Sequence, residues 1–177
     1  ELAGSPRRKG TRSFAGGVSD GTYGLAAFDL VLDSLSARKS WLFFDQEYVC
    51  LGAGITCGSD RPVLTTLNQC SLEGDVLVAE GSPPRQLDQG LHRLERPAWV
   101  WHDDIAYLFL EPAAAHLRND VQRGSWHEIS HRYPEDEVAR EMFALWIDHG
   151  SGPQNASYAY TVVPGIDRSA VEPYAAS

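Results

Sequence analysis

The chain has 177 residues, 43% hydrophobic and 22% charged, the composition of a globular chain long enough for one domain with a sizeable core. Twenty-four acidic residues against fifteen basic ones give a formal net charge of −9. An acidic surface repels polyanions, so nucleic acid is not an expected partner. No apolar run approaches the ~20 residues that a membrane helix needs, so no membrane partner is expected either.

The chain opens on Glu1, has one methionine, Met142, and shows no secretory leader, so it reads as an internal piece of a longer protein. Its one basic cluster is Arg7-Arg8-Lys9 with Arg12. Beyond it, nearly every periodic segment is short. Strands are expected at 23–30, 41–44, 48–51, 62–67, 76–79, 99–101, 105–109, 116–121, 143–147 and 158–163. Turn residues separate many of them at intervals of about ten, the pattern of an all-β sandwich or barrel. The clearest pair is 39–55, KSWLFFDQEYVCLGAGI: an aromatic run, the polar turn Asp45-Gln46-Glu47, and a second run closed by Gly52 and Gly54, which predicts an antiparallel hairpin. Residues 81–96 are polar, carry Pro83-Pro84, and read as a surface loop. Glu135, Asp136 and Glu137 favour a short helix start. The late strand 158–163 stops at Pro164-Gly165, because proline lacks the donor that a ladder needs.

Three cysteines, Cys50, Cys57 and Cys70, allow at most one internal disulfide and form no CxxC pair; all three read as structural. Asn155-Ala156-Ser157 is a glycosylation sequon. His127-Glu128-Ile129-Ser130-His131 satisfies HExxH, whose chemistry needs a helix that turns both imidazoles toward one metal while the glutamate polarises water. Gly124 and Pro134 leave little chain for such a helix. A strand there would hold the two imidazoles roughly 13 Å apart, at ~3.3 Å per residue. The zinc metalloprotease reading is therefore disfavoured, and neither a metal nor a cofactor is expected. Gly17-Val18-Ser19-Asp20-Gly21 matches a nucleophile elbow but lacks the strand before and helix after it, which leaves Ser19 as a turn serine. The run 52–58 misses GxGxxG by one residue. His102 beside Asp103 and Asp104, and Asp148 beside His149, are sequence neighbours whose side chains point to opposite faces of a strand.

Taken in order, the blocks SFAGGVSDGTYGLAAFDL (13–30), KSWLFFDQEYVCLGAGI (39–55), TTLNQ (65–69), WVWHDDIAYLF (99–109), RGSWHEIS (123–130) and FALWIDHGSGPQNASYAYTVVPGI (143–166) resemble the central β-domain of polysaccharide lyase family 8. That family holds the chondroitin AC, hyaluronate and xanthan lyases, and the wording is most similar to the chondroitin AC branch. The resemblance implies an all-β, antiparallel super-sandwich over 13–166, a connecting segment at 1–12, and a boundary or connection at 167–177. In the family the segment matching 135–142 leads straight into a strand. The resemblance also implies β-elimination on a uronic-acid polysaccharide by an enzyme that is extracellular or periplasmic. A tyrosine serves as base and acid, and Asn, His and Arg hold the substrate carboxylate. In the family those groups lie on an N-terminal α/α-toroid, which is the expected partner of this domain and is not in this sequence. The acidic polysaccharide is the other partner. The family also takes a supporting Glu from its β-domain; Asp20 is the nearest acidic candidate within a matching block, although an aspartate in a turn commonly binds its own backbone. Arg8 and Arg12 are the candidate substrate contacts. The rival reading is a non-catalytic β-sandwich that binds carbohydrate or supports a partner.

Overall fold

The computed structural model describes residues 11–81 and 83–177. Its strands, in chain order, are β1 (Ala15–Ser19), β2 (Gly24–Leu32), β3 (Leu35–Phe43), β4 (Tyr48–Cys57), β5 (Pro62–Ser71), β6 (Val76–Ala79), β7 (Arg85–Gln86), β8 (Gly90–Leu94), β9 (Trp99–His102), β10 (Ile105–Phe109), β11 (Ala115–Ser125), β12 (Glu137–Ser151) and β13 (Ala156–Pro164). A single helical turn, α1 (Trp126–Ile129), links β11 to β12, and a 3-10 turn leads into α2 (Val171–Ala175) at the end of the chain. All pairings are antiparallel. The larger sheet runs β1-β2-β3-β4-β13-β10-β9-β6-β7 and the smaller β5-β12-β11-β8.

The hairpin at 39–55 forms as its residues dictate. Phe43 faces Tyr48 and Trp41 faces Cys50 across β3 and β4, and the Phe44 N–H donates to the Glu47 carbonyl at 2.9 Å to close the turn. One expectation needs correction: the segment 81–96 is not all loop, since it holds β7 and β8. Glu137 starts the fifteen-residue β12, the strand that the resemblance implied after 135–142, in place of the short helix its carboxylates favour. The strand pairs along its length with β11, and that ladder outweighs the weak end-charge preference of three carboxylates. Strand β1 was unforeseen.

The two sheets bury one core between them. Phe143, Leu145, Ile147, Ala115 and Leu117 come from the smaller sheet, and Val78, Val100, Tyr107, Val162 and Cys50 from the larger. Successive core residues on a strand are two apart, as the pleat requires, and each large apolar side chain so buried stabilises the fold by roughly 1.5–3 kcal/mol. A second, smaller core lies on the opposite face of the larger sheet. There Leu77, Trp99, Ala106 and Val163 are covered by Ile166 and by Val171 of α2. The three cysteines are unpaired, with Cys50 and Cys57 buried.

Candidate functional site

Asp20 sits in the turn between β1 and β2. Its Oδ1 accepts the backbone N–H groups of Thr22 at 2.9 Å and Tyr23 at 2.7 Å. Those two bonds hold its carboxyl below the usual range, and the side chain lies in solvent. Ser19 donates to the Tyr23 carbonyl and accepts from the Gly21 N–H, so it too is occupied by its own turn. Arg8 falls outside the described residues. Arg12 is exposed, and it lines a groove of about 470 Å³ together with Phe14, Phe28, Asp29, Leu30 and Trp41.

The HExxH segment is not the strand anticipated. Ser125 caps α1 by accepting the His127 N–H, and the turn brings the imidazoles together: His131 Nδ1 lies 3.0 Å from His127 Nε2. His127 Nδ1 lies 2.8 Å from the Tyr133 carbonyl, an acceptor only, so it carries the proton. Nε2 of a neutral His127 is then the acceptor and His131 the donor. The expected separation of roughly 13 Å is therefore wrong, because a capped turn replaces the strand. Even so, among the described residues no group of three or more His, Cys, Asp or Glu side chains is placed to hold a metal ion.

Inside the sandwich, polar groups pair with one another. His102 stacks on Phe143 at 4.3 Å, and its Nε2 accepts the Glu73 N–H at 3.0 Å. Burial lowers its pKa. Asn68 donates to the Tyr107 hydroxyl, and His149 meets the Thr65 hydroxyl at 2.8 Å. Asp148 turns the other way from His149, with Oδ2 3.8 Å from His116 Nε2. Burial pushes the phenols of Tyr107 and Tyr158 up to about 12, and that of Tyr160 further. These tyrosines stay protonated at neutral pH; Tyr158, which has the Lys39 ammonium 6.0 Å and the His149 ring 6.1 Å from its own ring centre, is sealed in the core at 4% exposure.

The remaining cluster was not legible in the sequence. On the core-facing side of β2 and β3, Phe28 and Trp41 stack at 5.6 Å with their planes 21° apart. The Lys39 ammonium lies 5.8 Å from the Trp41 ring centre and 6.0 Å from that of Tyr158. Arg12 lines the groove that this aromatic pair also borders. Only the register across β2, β3, β4 and β13 reveals that residues so far apart in the chain share one face. A cation beside stacked rings can hold an anion or pack against another apolar surface; it cannot by itself run proton transfer.

Comparison with known proteins places this arrangement in a family. Residues 3–175 match the profile of polysaccharide lyase family 8, super-sandwich domain. Chondroitinase-AC of Pedobacter heparinus is 45% identical over 160 residues, covering 90% of this chain and 23% of that protein. Xanthan lyase of a Bacillus species is 36% identical over 170 residues, 88% of this chain and 18% of that protein. Among solved structures, chondroitinase AC lyase, studied as enzyme–oligosaccharide complexes, superposes with a TM-score of 0.85 at 43% identity, over 92% of this chain and 24% of that one. A Paenibacillus xanthan lyase superposes with a TM-score of 0.82 at 29% identity, over 92% of this chain and 17% of that one. The chain thus spans about a quarter or less of these relatives' length. This all-β chain belongs to polysaccharide lyase family 8 and corresponds to its super-sandwich domain.

Proposed function

We propose that this chain is the β-domain of a lyase that cleaves uronic-acid polysaccharides, of the chondroitin or hyaluronan kind, by β-elimination, and that it has no lyase activity alone. The observation that carries the reading is the 45% identity to chondroitinase-AC over 90% of the chain, confined to 23% of that protein's length. The chemistry agrees. Elimination needs a base for the proton at C5 of the uronate, a cation for its carboxylate and an acid for the departing oxygen. Among the described residues the candidate acids and bases are tied to turns or sealed in the core. Asp20 in particular serves as a turn anchor in this reading, because its Oδ1 accepts from Thr22 and Tyr23 and its lowered pKa makes it a weak base. The catalytic groups then lie on an α/α-toroid domain elsewhere in the same polypeptide, in a protein that works outside the cytoplasm on an external polymer.

The product of the complete reading frame tests this. Incubated with chondroitin, hyaluronan or xanthan, it is expected to release unsaturated uronates, read by their ultraviolet absorbance. No release from any uronate polysaccharide would contradict the proposal. A second reading is favoured by one observation: the Lys39 ammonium lies over the Trp41 ring of the Phe28–Trp41 stack, a pairing of cation and ring face that suits an acidic sugar. In that case the chain binds glycan by itself.

A further inference from the structure

Strands β11 and β12 are joined by a turn that burial does not hold. No residue of α1 is buried, and Trp126 and Ile129 are 57% and 67% exposed. What fixes the turn is polar. Ser125 accepts the His127 N–H at 3.2 Å, the Ser130 N–H donates to the Trp126 carbonyl at 2.9 Å, and the Tyr133 N–H donates to the Ser130 carbonyl at 3.1 Å. These bonds carry His127 and His131 to the same side of the turn, with ring centres 4.7 Å apart and planes inclined by 61°.

The facing nitrogens, His127 Nε2 and His131 Nδ1, are 3.0 Å apart. His127 donates its other ring N–H to the Tyr133 carbonyl at 2.8 Å, which fixes its tautomer and turns a bare Nε2 lone pair toward His131. Metal-binding histidines are almost always held this way, by a backbone carbonyl or carboxylate on the far nitrogen. Two imidazole nitrogens bound to one ion at about 2.0–2.1 Å stand about 2.9–3.4 Å apart, so the observed separation suits a shared ion as well as it suits a hydrogen bond. Glu135 adds negative charge, with Oε1 3.6 Å from His127 Nε2. Charge, spacing and tautomer all favour a cation between the rings.

We propose that His127 Nε2 and His131 Nδ1 together bind one divalent transition-metal ion of the kind imidazole favours (zinc, copper(II) or nickel), which clamps the β11–β12 turn. The ion takes the place of the proton between the rings, and His131 carries that proton on its own Nε2 instead. The Glu135 carboxylate offsets the charge. Water completes the shell, because among the described residues no group of three or more His, Cys, Asp or Glu side chains is placed to do so. The site is a clamp and not a zincin centre, since α1 is a single turn and the pair supplies two ligands. Calcium and magnesium seek oxygen ligands and are not expected there. The proposal stands apart from the lyase reading.

Calorimetric titration of the untagged 177-residue chain with zinc tests it, alongside electron paramagnetic resonance with copper(II) to count nitrogen ligands. The expected result is one zinc bound per chain, no binding of calcium or magnesium, and a copper spectrum coupled to two imidazole nitrogens. His131→Gln keeps an N–H that can donate to His127 Nε2, so the turn is retained while the ligand is lost. Its zinc affinity is expected to fall roughly ten-fold or more, since even a group that only orients a ligand is worth about that much. His92→Ala removes a histidine that lies elsewhere, against the Asp88 carbonyl, and should bind zinc as the parent does. Absence of zinc binding, unchanged affinity in His131→Gln, or an equal loss in His92→Ala would each overturn the proposal. So would a copper spectrum of the parent chain without two coupled nitrogens, a result that needs no variant to fold. Lyase activity is measured separately, and neither outcome alters it.

Discussion

Gly52 is glycine because of what stands opposite it in the next strand. Tyr158 of β13 lies across its backbone, and a Cβ on Gly52 would run into the ring carbons of Tyr158. The ring is packed in the core and cannot swing away cheaply, so Gly52→Ala is expected to lower stability by about 1–3 kcal/mol in chemical denaturation. His102 makes an equally local case. Burial lowers its folded-state pKa below the ordinary 6.5, so between those values the unfolded chain binds a proton that the folded chain refuses. Its contribution is present above pH 6.5 and is lost as pH falls toward the folded-state value. Denaturation followed across that range should show stability falling with acidification, and less steeply in His102→Gln. His149, lowered by burial in the same way, adds to the slope. Asp20 titrates lower. Its depressed carboxyl stabilises the β1–β2 turn above the ordinary carboxylate range and stops doing so as pH falls through the folded-state value, below 3.8. Asp20→Asn keeps an acceptor for Thr22 and Tyr23 and is expected to melt close to the parent chain, whereas Asp20→Ala should melt lower.

At the scale of elements, what could be read in advance depended on how much of the signal is local. The β3–β4 hairpin is written in aromatic runs and a polar turn, and it forms as written. The turn between β9 and β10 is a two-residue hairpin in which Asp103 and Asp104 both take left-handed backbone, which aspartate tolerates better than most residues. Strand β1, Ala-Gly-Gly-Val-Ser, has almost no intrinsic strand preference and exists because β2 pairs with it along its whole length. Strand β8 hides in a polar segment because its residues alternate, leaving only Leu94 fully buried. The HExxH turn was misread for the opposite reason: one side-chain cap on Ser125 decides it, and no periodicity reports that. The face shared by Phe28, Lys39, Trp41 and Tyr158 is set by register over four strands, which no single stretch of sequence encodes. The end of the chain depends on packing in the same way. Val171 is wholly buried against the outer face of the larger sheet, and Tyr174 donates to Glu47 of the β3–β4 turn at 2.9 Å. Replacing Val171 with Ala removes two methyl groups' worth of burial, an expected loss of about 1.5 kcal/mol. If α2 carried no packing role, thermal melting of Val171→Ala would match the parent chain.

For the whole molecule the question is how an acidic β-sandwich serves a family that works on acidic polymers. A formal charge of −9 gives the domain no general attraction for chondroitin or hyaluronan. Near the Phe28–Trp41 stack the cations are Arg12, in the adjoining groove, and Lys39, held over rings. Scaffolding fits this distribution. The two cores hold the sandwich together, and His102, His149 and Tyr107 are committed to internal bonds. The most direct measurement is the ultraviolet absorbance of unsaturated uronate when the 177-residue chain alone, folded by circular dichroism, is incubated with chondroitin. The expected rate is that of the polysaccharide without protein. A robust, protein-dependent rate that scales with chain concentration would contradict the account, because it would place the acid, the base and the carboxylate-holding group within these residues.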